Sequence, residues 1–330
     1  MKTKSPLISV IMLNYNGLKY IKRTIPQILK LDYPNYEFII VDNGSADGSI
    51  EFIKEMQIKS EKVKIRLIEN GENLGYSKGK NIGVKHAKGE YVLLLDNDVL
   101  IKNIKTLEEL IKCYASYKKI AFLYVPLFDL KKNKSTLYGV FYSIYGTLEN
   151  KPLVSKASLS IPTKPYFIGS PTGADIFFKK SNWKKIGEFD DSQPFNIDDV
   201  DIGARSWILG YENYSLRNSY FYHLGIDYDD NKKYVFRTKY YFSGNLRAIL
   251  KNYNTCSLIK ILPLFILYHL CKSIFYSIKR KDPRIFFAFF SSVTLFLKNL
   301  QDTLKQRKII QSKRVIKEDI FLRIKPPKFG

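Results

Sequence analysis

The first hundred residues alternate four times between a short apolar segment and a helix-like segment, and this alternation limits the possible folds more than any other feature. The apolar segments, at 7–13, 38–41, 63–68 and 91–95, consist mainly of Ile, Val and Leu. Such short apolar runs predict buried strands, while the spacing of apolar residues between them predicts helices. Strands that alternate with helices form a parallel sheet covered on both faces, so the expected fold class is α/β.

Polar residues follow three of the predicted strands, at the point where each strand ends. These residues are Asn14-Tyr15-Asn16, Asp42-Asn43-Gly44-Ser45 and Asp96-Asn97-Asp98. The carboxyl ends of parallel strands meet at one edge of the sheet, and ligands of open α/β sheets bind at that edge. We therefore expect the three clusters to line a single site.

Asp96 and Asp98 suggest a metal site at this edge. Side chains two residues apart at the end of a strand point the same way, so both carboxylates can reach one cation. Hard divalent ions such as Mg²⁺ and Mn²⁺ take oxygen ligands and share them with substrate phosphates. A metal here would neutralise the charge that develops when a nucleoside diphosphate departs. The alternative is a plain turn, which Asp and Asn also favour.

Three glycines at four-residue spacing, Gly75, Gly79 and Gly83, leave one face of a predicted helix bare. Each interior glycine costs about 1 kcal/mol relative to Ala. Close approach of this helix to the sheet or to a nucleotide would offset that cost. Asn73 and Lys80, in the same segment, are placed to meet a phosphate or a base, although either could be a solvated surface residue.

Tyr15 and Asp42 are candidates for holding a nucleotide. A Tyr at the edge of the sheet can stack on a base, and an Asp there can accept hydrogen bonds from a base N–H or from ribose hydroxyls. Each also has a local interpretation, which is core packing for Tyr15 and a turn stabilised by its own side chain for Asp42.

Together these motifs resemble a known family. The segments ISVIMLNYNG, FIIVDNGSADGS and ENLGYSKGKNIGVKHAKGEYVLLLDND are similar, in order and spacing, to inverting GT-A glycosyltransferases of the family 2 type, in particular to the rhamnosyl- and galactofuranosyl-transferase-like branch. The resemblance covers residues 7–225. It implies a GT-A fold, with a mostly parallel sheet between helices. It also implies transfer of a sugar from a nucleotide-sugar donor to a hydroxyl acceptor, with inversion and with Mg²⁺ or Mn²⁺ as cofactor.

The resemblance implies roles for residues at the predicted sheet edge. Leu13, through its backbone, Tyr15 and Asp42 fall where the family holds the nucleotide base. Asp98 is the expected metal ligand in the family's DXD motif. Asp96 is expected nearer the ribose or a metal-bound water.

A second acidic motif, at 196–205, resembles the family's acidic segment before a helix. Within it Asp199 takes the position of the general base, which removes a proton from the acceptor hydroxyl as that hydroxyl attacks the anomeric carbon. The preceding acid is Asp198, where the family often has Glu, and we assign it to the region of the donor sugar and acceptor. Acids in the first turn of a helix also complement its dipole, and this interpretation fits Asp201 best.

Two further groups follow from the same resemblance. Thr172, Gly173 and Ala174 match a family loop beside the donor sugar and the acceptor. His223 matches a histidine that completes the metal site in this branch, although most single histidines are structural. The predicted metal ligands are therefore Asp98 and His223.

The chain divides by composition into two predicted regions. Residues 1–232 are expected to form the catalytic domain, with a nucleotide-binding half at 1–100 and an acceptor half at 101–232. Residues 233–330 are expected to form a helical, basic C-terminal region.

Two apolar segments of the C-terminal region, 258–278 and 285–300, are interrupted by basic residues. Neither is the uninterrupted apolar run of about 20 residues that a spanning helix needs. Apolar helices flanked by Lys and Arg are typical of a membrane interface, so we expect them to lie there. The alternative is that they pack against each other or on the catalytic domain.

The chain carries 54 Lys and Arg against 31 Asp and Glu, a net charge of +23. Such an excess predicts an anionic partner, unless it reflects only the Lys-rich composition of an AT-rich genome. We expect an anionic membrane surface and no nucleic acid, because the acidic clusters at the sheet edge would repel phosphates without a metal.

The cysteines bear on the compartment. The three of them are widely spaced and form no CxxC pair, which indicates neither a zinc site nor a disulfide framework. This favours a reducing setting, and the N-terminal segment does not resemble a signal peptide. We therefore expect a cytoplasmic protein, peripheral on the cytoplasmic face of the membrane, with a lipid-linked or cell-surface glycan as acceptor.

Two other functions remain open at this point. A nucleotidyltransferase would share the nucleotide, the metal and the α/β sheet, but would release pyrophosphate. A non-enzymatic nucleic-acid-binding protein would account for the positive charge, and salt-dependent DNA or RNA binding would identify it.

Overall fold

The structure, a computed structural model, describes residues 5–129, 134–137, 139–143, 148–149, 165–192, 197–216, 219–225 and 231–325. The strands are β1 (Ile8–Asn14), β2 (Tyr36–Asp42), β3 (Ile65–Glu69), β4 (Tyr91–Asp96), β5 (Val99–Leu100), β6 (Ile120–Tyr124), β7 (Leu127–Asp129), β8 (Lys134–Leu137), β9 (Phe141–Tyr142), β10 (Leu148–Glu149), β11 (Tyr166–Phe167), β12 (Asp175–Lys179), β13 (Glu212–Ser215) and β14 (Phe221–His223). The helices are α1 (Leu18–Ile28), α2 (Ser49–Lys59), α3 (Tyr76–His86), α4 (Thr106–Ala115), α5 (Lys180–Ile186), α6 (Asp198–Ile208), α7 (Asn231–Asn252), α8 (Thr255–Lys279), α9 (Arg284–Lys298) and α10 (Leu300–Ser312), followed by a 3-10 helix, Ile320–Arg323.

An eight-stranded sheet forms the centre of the molecule, in the order β11-β13-β6-β12-β4-β1-β2-β3. The four strands of the N-terminal half, β4, β1, β2 and β3, run parallel. Apolar side chains cover both faces of the sheet, in two separate clusters. The predicted α/β class and mostly parallel sheet are therefore confirmed.

Strand β12 lies antiparallel between β4 and β6, an insertion that the strand and helix pattern did not reveal. Because it runs against β4, the residues that precede it reach the carboxyl end of β4. The amide of Asp96 donates to the carbonyl of Ala174 at 2.9 Å. The 170–174 segment is thereby fixed beside the acidic cluster.

A smaller sheet, in the order β5-β14-β7-β8, brings a distant strand to the same place. Strand β5 follows the acidic cluster directly and pairs antiparallel with β14, with Val99 opposite His223. The amide of Leu224 also donates to the carbonyl of Asp98 at 2.9 Å. This pairing fixes His223 next to Asp98.

The bare face of α3 packs against the sheet. A Cβ atom at Gly79 would lie 2.5 Å from Cδ1 of Leu13, and one at Gly83 would lie 2.5 Å from Cγ2 of Ile11. No larger side chain fits at either position without a shift of the helix or of the contacted side chain. Of the two expectations for these glycines, close approach to the sheet accounts for both.

The C-terminal helices pack on the catalytic region through a third apolar cluster. This cluster joins residues of α6, including Trp207 and Ile208, to residues of α7, α8 and α9. Phe321, in the 3-10 helix, lies between the rings of Tyr142 and Tyr253, with centroid distances of 4.9 and 5.3 Å. The predicted boundary after residue 232 falls at the beginning of α7, and the division into domains stays a prediction.

Buried charges join α7 to the beginning of α6. Lys251 and Asn252 of α7 contact the carboxylate of Asp201 at 3.0 and 2.7 Å, and Arg205 contacts it at 3.0 Å. Burial alone would raise the pKa of Asp201, but the cations of Lys251 and Arg205 outweigh burial and lower it. Asp201 therefore anchors α7, a larger role than the dipole interpretation gave it.

Helix α8 begins where the side chain of Asn254 accepts a hydrogen bond from the amide of Ser257 at 2.8 Å, the usual arrangement of a helix cap. In the described part of the chain it is the one helix long and apolar enough to cross a membrane, with a mean hydropathy of 1.7 over its most apolar 18 residues. The helix continues through Lys260 and Lys272, which interrupt its apolar run, and the expected position at a membrane interface stays a prediction.

Candidate active site

The three polar clusters lie at one edge of the sheet and are linked by hydrogen bonds. The side-chain amide of Asn14 donates to Asp42 Oδ2 at 2.8 Å. The side-chain amide of Asn97 donates to Asn14 Oδ1, also at 2.8 Å. The carboxyl ends of β1, β2 and β4 are therefore held in one arrangement, as the parallel topology predicts.

Asp98 and His223 form a nearly buried pair at this edge. Asp98 Oδ2 lies 3.2 Å from His223 Nε2, and both side chains are about nine-tenths buried. Burial alone would lower the pKa of His223, but its hydrogen bond with Asp98 and the carboxylates of Asp98, Asp96 and Asp129 raise it. The pair thus combines an anionic oxygen with an imidazole nitrogen at the rim of the sheet.

The pair fits the ligand geometry of one divalent cation. Adjacent ligands of an octahedral cation at about 2.1 Å lie about 3 Å apart, which agrees with the 3.2 Å between Asp98 Oδ2 and His223 Nε2. Among the residues that the structure describes, no group of three or more His, Cys, Asp or Glu side chains forms a complete metal cage. A cation held here would take its remaining ligands from water and from the phosphates of a bound nucleotide.

Lys80 is fully buried and faces protein groups. Its ammonium donates to Asp96 Oδ1 at 2.7 Å, to the carbonyl of Gly173 at 2.6 Å, and to the hydroxyl of Tyr76. These contacts use all three ammonium hydrogens. Lys80 thereby connects the acidic cluster to the 170–174 segment, and its expected contact with a phosphate or base stays a prediction.

Asp199 is held in the first turn of α6. Its Oδ2 accepts a hydrogen bond from the amide of Gly173 at 2.9 Å, and its Oδ1 accepts one from the amide of Val200 at 2.8 Å. Burial raises the pKa of Asp199, although these hydrogen bonds and the charge of Lys80 oppose it. A raised pKa makes a carboxylate a better proton acceptor.

Gly173 joins the two halves of the site. Its carbonyl accepts from Lys80, which holds Asp96, while its amide donates to Asp199. A Cβ atom at Gly173 would lie 2.5 Å from the hydroxyl oxygen of Tyr76. A larger residue at this position would therefore displace the Tyr76 hydroxyl from its place between the acidic cluster and α6.

Asp198 and Thr172 are buried on either side of this junction. Burial raises the pKa of Asp198 to about 8, with a smaller contribution from the neighbouring carboxylates of Asp199, Asp190 and Asp201. At neutral pH this side chain is largely protonated. Its position beside Asp199 places a neutral carboxyl next to the candidate base.

The residues expected to hold a nucleotide differ in their surroundings. Tyr15 is 47% exposed and Leu13 half-buried. Asp42 is buried and accepts hydrogen bonds from Asn14 and from the amide and hydroxyl of Ser45. Of these side chains, Tyr15 is the one open to stacking.

Asn73 is exposed, and its Oδ1 accepts from the amide of Gly75 at 3.0 Å, so it shapes the turn before α3. Asp42 likewise holds the turn after β2 through its contacts with Ser45. The nucleotide roles of both residues stay predictions.

Several residues of this site had no assigned role in the sequence analysis. Asn14 and Asn97 link the strand ends, and their position directly at the ends of predicted strands was a usable signal. Asp129 lies opposite His223 in the register of β7 and β14. Tyr76, whose hydroxyl donates to Gly173, carried no signal in the sequence, because its partner is 97 residues away.

Part of the chain is similar in sequence to known proteins. Residues 9–164 match the family described as Glycosyl transferase family 2. An uncharacterized glycosyltransferase of Haemophilus influenzae is 40% identical over 105 residues, which are 32% of this chain and 41% of that relative. The chain thus spans less than half of the length of that relative.

Two solved structures are similar in fold. Staphylococcus aureus TarS 1–349 in complex with UDP-GlcNAc gives a TM-score of 0.60 at 17% identity and covers 96% of this chain and 89% of that one. The mannosyltransferase PcManGT from Pyrobaculum calidifontis, in complex with GDP-Man and Mn²⁺, gives 0.57 at 15% identity, with 94% and 85% covered. The predicted GT-A fold is confirmed, while the branch within the family stays a prediction.

Proposed function

We propose that this chain transfers a sugar from a nucleotide-sugar donor to a hydroxyl acceptor, as its match to Glycosyl transferase family 2 over residues 9–164 suggests. The observation that carries the proposal is the hydrogen-bonded connection across the sheet edge. Asp96 contacts Lys80, Lys80 contacts the carbonyl of Gly173, and the amide of Gly173 contacts Asp199. A candidate base and a candidate metal motif are therefore held within one network.

The proposed reaction is a single displacement with inversion. The acceptor oxygen forms a bond to the anomeric carbon while the bond from that carbon to the diphosphate oxygen breaks, and the acceptor proton passes to Asp199. The amides of Gly173 and Val200 hold the Asp199 carboxylate in place for this transfer. Burial supports the role, because it raises the pKa of Asp199.

Asp98 and His223 are the proposed ligands of Mg²⁺ or Mn²⁺. When bound, the cation would stabilise the charge of the departing diphosphate as a Lewis acid. The support is the 3.2 Å distance between Asp98 Oδ2 and His223 Nε2. Asp96, held by Lys80, is proposed to contact the ribose or a metal-bound water.

The nucleotide is proposed to bind over the ends of β1 and β2. Tyr15 supplies an exposed ring for stacking on the base. Leu13 and Asp42 are proposed to shape the base pocket, and Asn73 to border it. Thr172, Gly173, Ala174 and Asp198 are proposed to surround the donor sugar and the acceptor.

We place the protein on the cytoplasmic face of a membrane, with a lipid-linked or cell-surface glycan as acceptor. The three cysteines, Cys113, Cys256 and Cys271, are unpaired, as is usual in a reducing compartment. Nucleic acid is not an expected partner, since the sheet edge is acidic.

A panel of nucleotide-sugars with Mn²⁺ or Mg²⁺ tests the proposal, with thermal shift and slow donor hydrolysis as readouts. Asp199→Asn is expected to lower transfer by about 10²–10⁴-fold, the usual contribution of a general base, with donor binding close to normal. Asp191→Asn, at an exposed acid near the same motif, is the matched control and should retain transfer. Retention of most turnover by Asp199→Asn would exclude Asp199 as the base.

The products separate this activity from its alternative. A glycosyltransferase leaves a nucleoside diphosphate or monophosphate, whereas a nucleotidyltransferase releases pyrophosphate. Pyrophosphate as the stoichiometric product would reject the proposed reaction.

A further inference from the structure

Helix α8 has one face packed on the protein and one face in solvent. Its inner stripe contains Ile261, Phe265, His269 and Ser273, all buried. The rings of Phe265 and His269 lie 5.3 and 5.2 Å from the ring of Phe242 in α7. The opposite side of α8 has no cover in the described part of the chain.

This uncovered side is mostly apolar, apart from the exposed Lys260 near its beginning, and the neighbouring helix α9 also carries exposed apolar side chains. The exposed large apolar residues of the two helices, called here the outer face, are Ile259, Leu264, Ile266, Leu267, Tyr268, Ile274, Phe275, Ile278, Phe287, Phe290 and Leu297. Phe275 is 57% exposed and Ile278 is 74% exposed. An apolar surface of this kind marks an interaction site, because monomeric soluble proteins seldom expose large contiguous apolar patches.

The charges around the outer face are almost all positive. Residues 255–298 contain seven basic residues and one acidic residue. The acid, Asp282, pairs with Arg284 at 2.7 Å. Basic residues beside an apolar helical face match the charge of a bilayer rich in anionic lipids.

The packing of α8 disfavours a spanning arrangement. Crossing a bilayer would strip the inner stripe from α7, and α7 is tied to the catalytic helix α6 by the contacts of Lys251 and Asn252 with Asp201. It would also carry Lys272, half-buried in the middle of α8, into the hydrocarbon, where a charge is costly. A second copy of the chain is disfavoured as well, since a twofold contact would bring two sets of cations together.

We propose that the outer face of α8 and α9 docks on an anionic bilayer, with its apolar side chains in the boundary between headgroups and acyl chains. The inner stripe stays on α7, and α7 stays on α6, so the catalytic edge is held at a fixed orientation to the lipid surface. This deepens the membrane part of the proposed function and is independent of its chemistry.

The experiment uses the full chain, because removal of everything after Tyr253 would uncover the apolar cluster shared with α6. Flotation is measured with vesicles of phosphatidylcholine alone and with vesicles containing 30 mol% phosphatidylglycerol, roughly a physiological anionic content. The double variant Phe275→Asp, Ile278→Asp removes two outer-face residues. Ile58→Asp is the control, at an exposed apolar residue of α2 (86% exposed) outside the outer face.

The wild type and Ile58→Asp are expected to float with the anionic vesicles, at least about tenfold more than with phosphatidylcholine alone, and less at high salt. The double variant should bind the anionic vesicles at least about tenfold less than the wild type does, while keeping the melting temperature of the wild type. Failure of the wild type to float, or equal flotation of the double variant, would overturn the proposal. So would a lipid-free dimer of the wild type that the double variant abolishes.

Donor hydrolysis in solution keeps this test separate from the proposed activity. The double variant should hydrolyse a soluble donor like the wild type, because none of its changes lies near the sheet edge. If no donor is bound or hydrolysed but flotation behaves as expected, the proposed transfer fails and the docking surface stands.

Discussion

Replacement of Lys80 by Met removes the ammonium that connects the two halves of the candidate active site. The unbranched Met side chain fills most of the volume of the Lys stem, so the change mainly deletes a charge. Asp96 then loses its partner at 2.7 Å, and the carbonyl of Gly173 loses a donor at 2.6 Å. The fold should lose stability, and Asp199 should shift from its position in the site.

The expected loss of stability follows from the burial of the pair. Removal of one partner from a buried ion pair costs about 3–5 kcal/mol. The side chain of Lys80 is fully buried, but that of Asp96 is 29% exposed, so water can partly replace the ammonium. We therefore expect the free energy of unfolding of Lys80→Met to fall by about 3 kcal/mol, near the lower end of that range.

The expected kinetic effect is mainly on kcat. Gly173 holds Asp199 through its amide, and a displacement of about 1 Å in a catalytic group can reduce the rate about 10²-fold. Urea denaturation measures the stability change, and donor hydrolysis measures kcat and KM. Lys78→Met is the control, because Lys78 is exposed on the same helix, and it should match the wild type in both assays.

A different outcome would refute this reasoning. If Lys80→Met were as stable as the wild type and raised only the KM for the donor, Lys80 would contact the donor directly. That result would support the phosphate or base contact expected from the sequence. It would reject the role of Lys80 in connecting Asp96 to Gly173.

Three further predictions concern the metal, pH and the anchoring of α7. His223→Ala should weaken Mn²⁺ binding, measured by titration with nucleotide present, by at least about tenfold, since even loss of an outer-shell partner costs about 10–100-fold; unchanged affinity would exclude His223 as a ligand. Burial raises the pKa of Asp198 to about 8, above the value of about 3.9 in an unfolded chain. Between these two values unfolding releases a proton, so the free energy of unfolding should fall as pH rises from 4 to 8. Asp198→Asn should show a smaller fall between pH 5 and pH 8 in urea denaturation, and equal slopes would contradict the shift. Lys251→Met should lower the free energy of unfolding by about 3–5 kcal/mol, because it leaves Asp201 buried with one cation fewer. A loss below about 1 kcal/mol would show that Arg205 alone compensates the buried charge of Asp201.

The N-terminal half of the fold could be predicted because its signals are local. Each apolar strand is followed directly by its polar cluster, and parallel topology alone brings the clusters together. The glycines at 79 and 83 likewise predicted a close contact on one face of α3, which the structure has. Near-neighbour patterns were sufficient for these features.

The contacts that complete the site depend on distant pairings. The pairing of His223 with Asp98 was expected only from the resemblance, because β5 and β14, which form it, are strands of two and three residues and too short to recognise from composition. The contact of Lys80 with the carbonyl of Gly173 joins residues 93 positions apart, so no local pattern indicated it. The direction of β12 was equally hidden, since a five-residue apolar strand carries no mark of parallel or antiparallel pairing.

The packing of Phe321 between Tyr142 and Tyr253 has a consequence for synthesis on the ribosome. Part of the cover of α6 comes from residues that emerge more than a hundred positions later, since the 3-10 helix that holds Phe321 packs on α6 and the amides of Val315 and Ile316 donate to the carbonyl of Ile208. At a translation rate of about 10 residues per second, these last contacts form on the order of ten seconds after α6 has been synthesised. Chaperones or a nearby bilayer would have that interval in which to hold the unfinished chain.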